Sequence, residues 1–195
     1  MSSGNSAKVA LRDQLLTARN RRSLAERSEL ARAIADHLLA SPEVRRAATL
    51  AAYVSVGSEP GTGLLIRELT ALGKRVVLPV VLPDNDLDWA AYAGDESLAP
   101  ARFGLLEPTG PRLGADAVAT ADVVLVPGLA GSATGDRLGR GGGCYDRALG
   151  RVPVGTPTWV LLYDEEVGHD VPVEPHDRRV TAAATPSGIV RFTAG

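Results

Sequence analysis

The stretch "ADVVLVPGLAGSATGDRLGRGGGCYDRALG", residues 121–150, decides how the chain is read. It opens on an apolar run with the character of a buried strand, passes through a loop with three consecutive glycines, and regains helical character near Tyr145. A strand feeding a loop and then a helix is the unit from which parallel α/β sheets are built. Ligands in such sheets gather beyond the carboxyl ends of the strands, so the loop after Pro127 lies where a ligand would sit.

The loop matches neither of two familiar phosphate motifs. The dinucleotide fingerprint requires a third glycine where Cys144 stands, and the Walker motif requires a lysine that the loop lacks. Its glycines can nevertheless adopt positive φ and turn their N–H groups toward an anion. A helix starting near Tyr145 adds a favourable term for negative charge, about 0.3–1 kcal/mol. Arg137 and Arg140 can add charge-assisted bonds to phosphate oxygens. Asp146 opposes phosphate unless a cation stands between them, and Mg²⁺ held by carboxylates and phosphates is the usual arrangement. The alternative at this point is a solvated surface loop.

Outward from the loop, the periodicity alternates. "AKVALRDQLLTARNRR" and the segment after Ser23 read as two helices, the second with Ser23 and Glu26 at capping-box spacing, an apolar stripe of Leu30, Ile34 and Leu38, and a stop at Ser41-Pro42. Residues 48–56 read as a buried strand, "LLIRELTALG" as a helix closed by Gly73, and residues 75–82 as a second buried strand. A short strand is expected around Trp89–Ala93, a further one over 121–130, and closing strands over 158–163 and 179–185. Residues 84–118 read as an excursion from the sheet. The expected fold is α/β in three layers, Rossmann-like, with a largely parallel sheet and helices on both faces. One domain is expected over 1–195, with N-terminal helices over about 6–40 and the sheet with its ligand loops over about 48–185.

Composition narrows the function classes. The chain of 195 residues is 45% hydrophobic and 23% charged, ordinary for a soluble globular protein. A formal net charge of −2 gives no global attraction to nucleic acid. The single cysteine excludes an intramolecular disulfide and a multi-cysteine metal site. No signal core or membrane-length apolar run is visible, so a cytoplasmic location with no membrane partner is expected.

The segment "VLVPGLAGSATGDRLGRGGGCYDRAL" closely resembles the signature of the 5-formyltetrahydrofolate cyclo-ligase family, in which "PGLAF…G-x-RLG-x-G-x-GYYD" is typical. "KVALR", "SVGSEPGT", "GKRVVLPVV", "RFGLLEP" and "VPVEPHDRRV" fall in the family's order, so the resemblance spans nearly the whole chain. It implies ATP- and Mg²⁺-dependent cyclisation of 5-formyltetrahydrofolate to 5,10-methenyltetrahydrofolate, with release of ADP and phosphate. The partners it implies are ATP and the folate; a monomer is expected.

By the same resemblance Lys8 and Arg12 are nucleotide contacts, and their spacing of four puts them on one helix face. Arg137, Leu138, Gly139, Arg140, Gly141, Gly142, Gly143, Cys144 and Tyr145 form the ATP loop, and Arg140 to Cys144 also reach the folate. Arg140 and Tyr145 are the catalytic candidates, and Asp146 and Asp177 the metal ligands. Val54 and Glu59 match folate contacts, with a carboxylate suited to the paired N–H donors of the pterin edge. Tyr53, Trp89, Tyr92 and Phe103 are candidate walls for the aromatic rings. His176 is left out of the catalytic set. Cys144 stands where the family has a tyrosine and is read as a small loop residue rather than a nucleophile. The competing classes are a small-metabolite phosphotransferase and a non-catalytic ligand-sensing domain.

Overall fold

The computed structural model describes residues 3–193. Its elements in chain order are α1 (Ser3–Asn20), α2 (Leu24–Ala40), α3 (Pro42–Arg46), β1 (Thr49–Ala51), α4 (Gly63–Ala71), β2 (Arg75–Val81) and β3 (Leu87–Ala91). There follow β4 (Leu98–Pro100), β5 (Leu106–Pro108), β6 (Val123–Pro127), β7 (Ala130–Gly131), β8 (Arg137–Leu138), α5 (Cys144–Leu149), β9 (Thr158–Leu161), β10 (Ala182–Thr185) and β11 (Gly188–Arg191). Among the described residues no helix is long and apolar enough to cross a membrane.

The main sheet has seven strands in the order β11-β10-β9-β6-β1-β2-β3. The five inner strands are parallel, and the two edge strands, β3 and β11, pair antiparallel. Taken alone, the parallel strands follow the doubly wound order 2-1-3-4-5, and the winding reverses between β1 and β6. Strand alternation divides the core into two. Val123 and Leu125 of β6 pack with Ile34 and Leu38 of α2 and Leu65 and Leu69 of α4. Val124 and Val126 face the opposite way, toward Ala148 and Leu149 of α5 and Val118. Helical cover on both faces gives the expected three-layer α/β/α architecture.

Several boundaries differ from the sequence reading for identifiable reasons. The strand expected over 48–56 ends at Ala51, although Ala52 and Tyr53 remain buried. Beyond it the backbone is taken by a local exchange: Thr62 Oγ1 donates to Tyr53 O, Ser55 N donates to Thr62 Oγ1, and Thr62 N donates to Ser55 Oγ. The run 121–130 breaks after Pro127, and Ala130–Gly131 pairs with Arg137–Leu138 instead. Ser41 ends α2 and also caps α3, which Pro42 opens. The region 84–118 is only in part an excursion: β3 is an edge of the main sheet, while β4 and β5 form a separate ribbon. The sequence reading missed β11, a four-residue edge strand that is half-exposed and lacks a buried run.

Leu38 is fully buried between α2 and the sheet. Leu38→Ala is expected to destabilise the protein by about 2–5 kcal/mol, read by urea denaturation, with the far-ultraviolet spectrum unchanged below the transition.

Candidate active site

A cavity of about 750 Å³ opens where the winding of the sheet reverses. Its lining includes Tyr53 and Val54 after β1, Pro127 and Gly128 after β6, the segment Arg137–Asp146, Lys8 and Arg12 of α1, and Glu174, His176 and Asp177. The volume lies in the range of small-molecule sites, roughly 300–1,000 Å³.

The glycine run is shaped by two positive φ angles, +101° at Gly141 and +70° at Gly143, the residue that precedes α5. An L side chain is disfavoured at both. Arg12 braces the loop from α1, its Nε donating to Gly139 O at 2.8 Å.

Every cation of the lining is engaged inward. Lys8 is buried, its Nζ 2.7 Å from both Glu174 Oε2 and Asp177 Oδ2. Arg137 is buried and donates to Pro127 O at 3.0 Å and to Asp146 Oδ1 at 3.2 Å. Arg140, half-exposed at the loop tip, has its Nε 3.2 Å from Glu59 Oε1. Glu59 itself is buried, and its Oε2 accepts Val56 N at 2.9 Å. The sequence reading named Asp177 but missed Glu174, three residues before it, whose backbone N–H also donates to Asp177 Oδ2.

These contacts set the ionisation of the groups. Burial alone would lower the Lys8 pKa, but the hydrogen bonds and charges of Asp177 and Glu174 override it and raise it above the ordinary lysine value. Burial opposes the charged form of Asp177 too, and the Lys8 ammonium holds it below the ordinary carboxylate range. Burial, with Glu59 nearby, pushes the Tyr145 phenol well above the ordinary tyrosine range. Tyr145 is therefore a neutral hydrogen-bond donor and not a base. Burial also raises the Cys144 thiol, whose Sγ points to Gly142 O, and a protonated thiol is a poor nucleophile.

Two of the four proposed aromatic walls are misplaced. Tyr53 and Phe103 line the cavity, but Trp89 and Tyr92 do not. On β3 the two-residue period turns Leu87 and Trp89 into the core that Val118, Ala148 and Leu149 also enter. Tyr92, just beyond that strand, packs in the opposite core and donates its hydroxyl to Asp95 Oδ1 at 2.6 Å. Val54 and Glu59 line the cavity as expected, and Leu138 joins its lining while packing in the small cluster with Leu15 and Leu129.

The donor set suits a hard divalent cation. Asp146 Oδ1 accepts from Arg137 and from Arg178 N, while among the described residues nothing donates to Oδ2. Glu174, His176 and Asp177 bring ligand atoms within 4.8 Å of one another, with the Lys8 ammonium on two of them. Free carboxylate oxygens beside a phosphate-sized space match the preference of Mg²⁺ for a few carboxylates supplemented by phosphate and water.

The Lys8 cluster carries a pH signature. The depressed Asp177 pKa contributes stability above its ordinary unfolded value, about 3.9, that is lost as pH falls through the folded value. The raised Lys8 pKa contributes stability below about 10.4 that is lost as pH rises through the folded value. Lys8→Met is therefore expected to be less stable than wild type at neutral pH. In denaturation titrations the difference should be flat between about pH 4 and 10 and narrow outside that window.

Residues 4–186 match the profile of the 5-formyltetrahydrofolate cyclo-ligase family. The chain is 44% identical over 148 residues to the 5-formyltetrahydrofolate cyclo-ligase of Mycolicibacterium smegmatis, covering 73% of this chain and 76% of that one. It is 32% identical over 172 residues to the Escherichia coli enzyme of the same name, covering 84% and 92%. The NMR structure of Aquifex aeolicus 5,10-methenyltetrahydrofolate synthetase superposes with a TM-score of 0.82 at 28% identity, covering 96% of this chain and 94% of that one. With the glycine loop, the switch-point cavity and these likenesses together, the chain belongs to the 5-formyltetrahydrofolate cyclo-ligase family.

Proposed function

We propose that the protein catalyses the ATP- and Mg²⁺-dependent cyclisation of 5-formyltetrahydrofolate to 5,10-methenyltetrahydrofolate, releasing ADP and phosphate. Family membership supports the reaction. The observation that carries it to this site is the lining, which holds four cations (Lys8, Arg12, Arg137 and Arg140) and five carboxylates (Glu59, Glu107, Asp146, Glu174 and Asp177) around one space. That mixture suits a polyphosphate accompanied by a metal ion, and leaves a carboxylate for a pterin.

In this reading the formyl oxygen attacks the γ-phosphorus as the bond to the β,γ-bridging oxygen breaks and ADP leaves. N10 then adds to the activated carbon and loses its proton, and inorganic phosphate departs as the C–O bond breaks. Such chemistry depends on positioning and charge rather than on a protein nucleophile. Lys8, Arg12 and Arg140 bind the phosphates, with the N–H groups of residues 139–143 turned to them by the glycines. Arg137, held between Pro127 O and Asp146, orients the metal carboxylate. Asp146 and Asp177 would hold Mg²⁺, which would supply positive charge to offset that of the phosphates. Glu59 and Val54 orient the pterin, and Tyr53 and Phe103 flank its rings. Tyr145, whose phenol stays protonated and which lines the cavity, would serve as a hydrogen-bond donor.

The test is turnover. Purified protein with 5-formyltetrahydrofolate, ATP and Mg²⁺ is expected to develop the near-ultraviolet absorbance of the methenyl product together with free phosphate. A stable phosphorylated metabolite, or no product where a control enzyme works, overturns the reading. Asp146→Asn is expected to lower kcat about 10–100-fold with little change in melting temperature. Equal losses of activity and stability would make Asp146 structural instead.

A further inference from the structure

Among the described side chains of α1 only Lys8, Leu15 and Arg19 are buried, and two of these three are charged. Leu15, flanked by half-buried Leu11 and Leu16, supplies the small apolar contact. The helix is thus held chiefly through its polar groups. Lys8, Arg12, Leu15 and Arg19 follow the spacing of a single helical face. Residues 8 and 19 are about three turns apart, so their side chains leave the helix within roughly 20° of each other and about 16 Å apart along its axis.

Arg19 is fully buried. Its Nε and Nη2 donate to the two oxygens of Glu166, each at 2.7 Å, and Nη2 also donates to Gly128 O at 2.7 Å. Glu166 Oε2 in turn accepts Tyr163 N at 2.9 Å. Gly128 lines the cavity and follows Pro127, the carbonyl that holds Arg137. Arg19 Nη1 is buried without a partner among the described residues. A buried ion pair is a poor source of stability compared with apolar residues of the same size, and an orphaned donor makes it poorer. What the pair adds to the small apolar contact of Leu15 is a sharper definition of register. A guanidinium fork fits its carboxylate in one orientation, and a slip of α1 by one residue turns the helix by about 100°. Such a slip would carry Lys8 away from Glu174 and Asp177, and Arg12 away from Gly139.

We infer that Arg19 is a positioning residue: pinned to Glu166 and Gly128, it fixes the register of α1 and so holds Lys8 and Arg12 at the polyphosphate end of the cavity. The inference rests on the proposed reading that Lys8 and Arg12 meet ATP.

The test is the double variant Arg19→Met/Glu166→Gln, which leaves no unpaired charge at that position and keeps an acceptor for Tyr163 N, while Gly128 O loses its donor. It is expected to fold with a melting temperature lowered by no more than a few degrees, to raise the KM and calorimetric Kd for ATP with Mg²⁺ about tenfold, and to change the KM for 5-formyltetrahydrofolate less than about twofold. Amide exchange over residues 8–15 should accelerate. In a Lys8→Met/Arg12→Met background the same pair of changes should add little further loss, because both act through one contact. If the double variant does not fold, Arg19→Lys, which keeps the charge without the fork, is read in the same way. Unchanged ATP affinity with unchanged exchange in α1, an equal loss for both substrates, or a fully additive loss in the Lys8/Arg12 background overturns this inference alone. Wild-type ATP affinity in Lys8→Met/Arg12→Met overturns the proposed nucleotide contacts, and this inference with them.

Discussion

A cavity that is to bind polyphosphate, as proposed for this one, must hold like charges close together, and burial strengthens their repulsion. Here each lysine and arginine of the lining has an acceptor within the protein: Lys8 has Glu174 and Asp177, Arg137 has Asp146, Arg140 has Glu59, and Arg12 has the Gly139 carbonyl. The carboxylates that neutralise the site are those proposed for the metal and the pterin. On the proposed reading, ligand binding would be an exchange of partners rather than a simple addition of charge. A bare polyphosphate would take the cations and leave Asp146 and Asp177 facing it unpaired, whereas a magnesium complex satisfies both halves of each broken pair.

The sheet determines where this exchange can happen. Because the winding reverses between β1 and β6, the segments leaving those strands diverge and open a crevice between them. The turn carrying Glu59 is secured from outside the crevice: Tyr163 donates its hydroxyl to Ser58 O at 3.2 Å, and Arg27 donates to Gly57 O at 2.9 Å. The opposite wall is the glycine loop, braced by α1. The two walls thus meet through Arg140 and Glu59 while each is anchored independently, which lets the contact between them change without unfolding either side.

The layers of this fold were legible in sequence because buried strands and amphipathic helices differ in period, and the loop was legible because glycines, arginines and an aspartate rarely coincide by packing alone. What was not legible has two physical origins. Edge elements carry weak patterns: β11 is short and half-exposed, and the alternation in β3 did not show which core Trp89 would enter. Pairings across the chain carry no local pattern at all. Lys8 meets Asp177 across 169 positions, and Arg19 meets Glu166 across 147. Burial of Lys8 and Arg19 is a tertiary outcome, since each looks in sequence like any charge on an exposed helix.

Cys144 gains its meaning from these contacts. The resemblance places a tyrosine there, and the structure has a half-buried thiol at the first position of α5, turned toward Gly142 O, its pKa raised by burial. A thiol in that state takes no part in phosphoryl transfer and cannot stack on a ring. The phenylalanine and tyrosine residues lining the cavity are Tyr53, Phe103 and Tyr145. Phe103 sits at the mouth, 73% exposed, with a φ of +60°. A non-glycine residue in the left-handed region is strained by roughly 1–2 kcal/mol, and an aromatic ring held out in water gains nothing from burial to offset it. The Arg102 guanidinium lies over this ring, 5.0 Å from its centroid, and on the proposed reading a folate ring in the cavity would pack against Phe103 where Cys144 offers no aromatic surface.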